Sequence, residues 1–75
     1  MITYYEHKYS LYKINEDANP ITVETICNGP GFYHIQKITN RKIVDSILLA
    51  KDQWAASNSE TYEAERAYVL EIIQS

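Results

Sequence analysis

Seventy-five residues carry 45% apolar and 23% charged side chains, two glycines, two prolines and a formal charge of −3. Such a chain is too short for more than one domain, residues 1–75, and too apolar to stay disordered; its acidity counts against non-specific nucleic-acid binding, which needs a positive field. A chain of this size buries only roughly 60% of its unfolded surface, so the interior is consumed by the core and little is left for a deep pocket.

Cys27 is the only cysteine. One thiol makes no internal disulfide and no zinc site by itself, which points to a reducing, cytoplasmic setting. No basic-then-apolar leader opens the chain, and the longest apolar run, Ile47 to Ala50, is far too short to cross a bilayer. The expectation is a soluble protein with no membrane partner and no cofactor.

Ile2 to Ile14 holds four tyrosines, Tyr4, Tyr5, Tyr9 and Tyr12, and no Gly or Pro, a composition that favours one long strand. Alternation puts Tyr5, His7, Tyr9 and Leu11 on one face. Ile2, Tyr4, Glu6, Lys8, Ser10, Tyr12 and Ile14 lie on the other. The first face is the more apolar in its middle and is assigned inward, although a bend near Lys8–Ser10 would exchange the two faces. Asn15 to Pro20 reads as a turn, dense in side chains that bond their own backbone. Ile21 to Cys27 alternates as a half-buried strand. Asn28-Gly29-Pro30-Gly31 is a second turn, and Phe32 to Thr39 is a third strand, though Phe32, Ile35 and Ile38 also fit a helical spacing.

A helix begins at Thr39 or Asn40, either of which can cap it, with Ile43, Ile47, Ala50 and Trp54 recurring along one stripe. Ala55-Ala56 leads into a break at Ser57–Ser59. Ser57 with Glu60 fits a capping box, and Ser59 is a competing cap. A second helix then runs to about Ile73. The expected fold is α+β: a three-stranded antiparallel β-meander followed by a two-helix hairpin, β-β-β-α-α, in two layers with both helices across one sheet face.

Chemistry-bearing constellations are few. Cys27 and His34 form the sole Cys/His arrangement, seven residues apart across a turn, and Cys27 falls on the apolar side of its strand, where a free thiol is ordinarily a small core residue. His7, His34 and Cys27 show no local metal-ligand spacing. Glu60, Glu63 and Glu65 crowd the start of the last helix, where the helix dipole accounts for them without catalysis. Enzymatic activity is therefore not expected.

Two surfaces remain. Tyr4 and Tyr12 on the outer strand face, with Glu60 and Glu63 on the acidic last helix, would contact a protein partner; tyrosine offers large, rigid contact area. Lys37, Arg41 and Lys42 gather near the first helix N-terminus, where cations are unfavourable unless an anion is bound. The first surface describes a small stand-alone protein-binding module, an inhibitor or adaptor that occludes a basic partner surface such as a nucleic-acid-binding complex presents. By association rather than by any residue pattern, such chains are typical of phage and mobile-element accessory proteins, including those that block defence systems such as CRISPR. The second surface describes a nucleic-acid-binding regulator. Three strands leave two sheet edges open, and a homodimer would close them.

Overall fold

In the computed structural model, which describes residues 1–75, the tyrosine-rich opening is two strands rather than one. Strand β1 (Ile2–His7) turns at Lys8–Tyr9 and returns as β2 (Ser10–Asn15), with His7 opposite Ser10 and Tyr5 opposite Tyr12. Lys8 takes a left-handed backbone, φ 56°. No Gly, Asn, Asp or Pro marks this turn. The chain reverses because each six-residue half, folded on the other, buries more than a single extended strand could.

Strand β3 (Thr22–Gly29) pairs antiparallel with β2, and β4 (Phe32–Ile38) pairs with β3 through the two-residue turn Pro30–Gly31. Gly31, at φ 75°, supplies the positive φ that follows a turn proline. Helix α1 (Arg41–Ala50) starts at Asn40, whose side-chain oxygen accepts from the N–H groups of Lys42 and Ile43. After a 3₁₀ turn at Lys51–Gln53 the backbone extends at Trp54, and β5 (Ala55–Ala56) adds to the free edge of β1. Helix α2 (Ser59–Gln74) closes the chain. Its cap is Asn58, which accepts from Thr61 N–H at 2.8 Å, and not Ser57 or Ser59. Ser57 instead donates its N–H to Tyr4 O at 2.9 Å, locking the entry to α2 onto β1.

The class is α+β as expected, but the sheet is five-stranded and antiparallel, in the order β4-β3-β2-β1-β5. The two-layer expectation also changes. Ile14, Val23, Val44 and Ile47 form one core cluster, joined by Tyr5, Tyr12, Ile38 and Trp54. Ile26, Tyr62 and Val69 form another, joined by Tyr4, Leu11, Tyr33 and Ile35. These sets alternate along every long strand, so α1 covers one face of the sheet and α2 the other. A helical hairpin on one face would leave the second apolar set in water. Trp54 and β5 make the crossing around the β1 edge, with the Trp54 ring stacked 4.3 Å from Tyr12 and 5.4 Å from His7. Trp54 is thus not the last residue of the α1 stripe. Its ring stacking and the pairing of Ala55 and Ala56 displace a further helical turn.

Candidate functional site

The register places three rows of side chains across the face that α1 covers. Thr3, Ile14, Val23 and Ile38 make the first, Tyr5, Tyr12, Thr25 and Gln36 the second, and His7, Ser10, Cys27 and His34 the third. Helix α1 has ten residues, about 15 Å of length. It seats Val44 and Ile47 over the first row and leaves the far end of the face open. What remains is a groove of about 450 Å³ between helix and sheet. Ser10, Thr25, Cys27, His34 and Gln36 floor it, and Tyr12, Ile43, Ile47, Ala50 and Trp54 wall it. None of the lining residues is Asp, Glu, Lys or Arg. At its margin Ile43 is 48% exposed and Phe32 is 58% exposed, the Phe32 ring lying 4.8 Å from that of His34.

Cys27 and His34 are direct neighbours across the β3–β4 ladder, yet they do not bond each other. Cys27 Sγ lies 3.6 Å from Ser10 Oγ. His34 Nε2 is 3.3 Å from Gln36 Oε1, and His34 Nδ1 is shielded from solvent without a hydrogen-bond partner. A thiol–imidazole pair needs the base within hydrogen-bond reach of sulfur, and here each member is turned to another neighbour. No three His, Cys, Asp or Glu side chains converge as a metal centre would require. His7 shares the row of His34 but sits three strands away, stacked on Trp54. The groove is suited to an aliphatic or aromatic group, with a few uncharged polar atoms on its floor to orient it.

The opposite face carries a polar network. Tyr62, fully buried, donates from its hydroxyl to Glu24 Oε1 at 2.8 Å, and Arg66 Nε donates to the same oxygen at 3.0 Å. Lys13 lies 3.7 Å from Glu63 and 6.0 Å from the centre of the Tyr62 ring. Burial works to raise the Glu24 pKa, but the Tyr62 hydrogen bond, the Arg66 bond and charge, and the Lys13 charge outweigh it, and the net shift is downward. These groups fasten α2 to β3.

The expected contact residues are dispersed. Tyr4 and Tyr12, expected together on an outer face, lie on opposite faces: Tyr4 against Tyr62 at 5.4 Å, Tyr12 against Trp54. Both are half-buried, while Tyr9, expected inward, is 65% exposed in the turn. The hairpin at Lys8–Tyr9 causes this exchange. Glu60 and Glu63 are exposed on α2. Lys37 does not join Arg41 and Lys42. It projects on the α2 face beside Glu24, near Lys13 and Arg66, whereas Arg41 pairs loosely with Asp45 at 3.9 Å at the start of α1. The amides there are already met by Asn40. Sequence reasoning missed the groove because its walls, Ile43, Ala50 and Trp54, are the stripe assigned wholly to the core.

No helix is long and apolar enough to cross a membrane. No protein-family model matches the chain, and comparison with curated proteins and with solved structures found no match.

Proposed function

We propose that this chain is a protein-binding module, an inhibitor or adaptor that acts by covering a partner's surface. The observation that supports it is the uncharged groove beside α1, with Phe32 and Ile43 exposed at its margin. A concavity walled by aromatic and aliphatic side chains and free of formal charge favours a hydrophobic anchor of a protein partner over phosphate or sugar. On the opposite side of the molecule, the outer side of α2 exposes Glu60 and Glu71 beside Tyr68, with Glu63 exposed on its flank, and presents a second, acidic surface. That acidic surface suits a partner whose own surface is basic. Such a surface would otherwise hold nucleic acid, and covering it would block that binding. An accessory protein of phage or mobile-element type, acting on a host defence complex, would work in this way; chain size and charge alone support that extension.

The nucleic-acid-binding alternative is weaker on geometry, because Lys37 stands apart from Arg41 and Lys42 and the α1 N-terminus has its own acceptor. Affinity capture with wild type and with Ile43→Glu tests the main reading. Ile43 is at the rim, so the variant keeps its fold by circular dichroism. The expected result is a discrete partner held by wild type and lost with Ile43→Glu, with Glu60→Lys showing separately whether the acidic α2 surface takes part. Equal capture by the folded Ile43→Glu variant overturns the reading.

A further inference from the structure

Strand β4 ends the sheet on one side, and no strand pairs with its outer edge. The other side is partly closed by β5. Edge strands are ordinarily guarded by proline, bulges, several charges or extreme shortness. β4 is seven residues long, contains no proline, keeps a one-to-one register with β3 from Phe32 to Ile38, and carries one formal charge, Lys37.

Ladder parity shows which backbone groups are free. Asn28 N–H donates to Tyr9 O, so Asn28, Ile26 and Glu24 turn their peptide groups toward β2. Gly29, Cys27, Thr25 and Val23 therefore turn theirs toward β4, where they meet Phe32, His34, Gln36 and Ile38. The N–H and C=O groups of Tyr33, Ile35 and Lys37 point away from the sheet.

We infer that two copies of this chain join through these edges, antiparallel, about a two-fold axis at Ile35, to make one continuous sheet. In that register Ile35 faces Ile35, Tyr33 faces Lys37, His34 faces Gln36 and Phe32 faces Ile38. Opposed residues share a sheet face, so every pairing is side chain to side chain. Each is compatible. The lysine meets a tyrosine ring, as Lys51 already does within the chain at 5.5 Å from the Tyr5 ring. Phe32, 58% exposed, covers Ile38, and no like charges are opposed. Parity makes Ile35–Ile35 a hydrogen-bonded pair, flanked by two more. Sliding by two residues keeps parity but shortens the ladder and sets Lys37 against Gly31 or Ile35. Self-complementarity of this kind is what an isologous dimer requires, and it selects a second copy over an unrelated strand.

Sedimentation velocity over a concentration series tests the inference, with hydrogen exchange on the same samples. The expected species has twice the 8.7 kDa chain mass. The amides of Tyr33, Ile35 and Lys37 should slow as protein concentration rises. Lys37→Pro removes an outward N–H that makes no bond within the chain, and symmetry removes it twice, so dimerisation should weaken by about tenfold or more while the monomer stays folded. A single 8.7 kDa species at every concentration overturns the proposal. So does a dimer in which those three amides exchange at a concentration-independent rate, a readout on wild type that stands even where Lys37→Pro does not fold.

Discussion

Tyr62 and Glu24, 38 residues apart in the chain, meet at 2.8 Å between phenol and carboxylate, and this contact fixes α2 against β3. Glu24 is a charged residue in the middle of a strand, only 12% exposed in its side chain, and it is tolerated because Tyr62 and Arg66 both donate to it. Tyr62→Phe keeps the packing and removes one donor. It should lower stability by about 1–2 kcal/mol, read from urea unfolding. A change near zero would mean Arg66 alone satisfies the carboxylate.

The same pair predicts a pH dependence at both ends. The Glu24 pKa is depressed, so its contribution is fully present above the ordinary carboxylate value of about 4.3 and is lost as pH falls through the lower folded-state value. Unfolding free energy should therefore drop more between pH 7 and pH 3 in wild type than in Glu24→Gln. The Tyr62 phenol is pushed up, first by burial and then by the Glu24 bond and charge. Its contribution is present below the ordinary tyrosine value of about 10 and fades as pH rises beyond it, an alkaline loss that Tyr62→Phe should lack.

Lys8 holds the β1–β2 turn at φ 56°, a conformation that costs a side-chain-bearing residue about 1–2 kcal/mol. Lys8→Gly relieves that and adds about 0.5–1 kcal/mol of unfolded-chain entropy, so a net gain of about 0.5 kcal/mol is expected. Lys8→Val should destabilise instead. Chemical denaturation of both variants checks the order.

Trp54 covers Tyr12 and His7 and carries the chain around the sheet edge. Trp54→Ala should cost about 2–4 kcal/mol and free the outward amide of β1 that β5 now shields, detected as faster hydrogen exchange at Glu6, whereas the Tyr5 amide faces β2. Trp54→Phe, which can still stack, should lose less. Equal exchange in all three proteins would show that β5 holds without the ring.

Much of the architecture was legible. Pro30–Gly31 declares a turn because proline presets φ and Gly31 accepts a positive one. Asn40 declares the start of α1 because its side chain can meet two free amides. The hairpin at Lys8–Tyr9 was not legible, since neither residue prefers a turn, and missing it misplaced Tyr4, Tyr9 and Tyr12 together. The cap at Asn58 was hidden among Ser57, Ser59 and Glu60, which read equally well as a capping box.

By itself the sequence determined that this is a small α+β chain, acidic, with strands early and helices late, because those features follow from local backbone preference and summed charge. Only the tertiary structure decided that the helices flank the sheet, that Trp54 leaves its helix to stack on Tyr12, and that α1 stops short of Cys27 and His34 to leave a groove. Those outcomes depend on which apolar surfaces meet across dozens of residues, and burial between distant segments is a property no local stretch encodes.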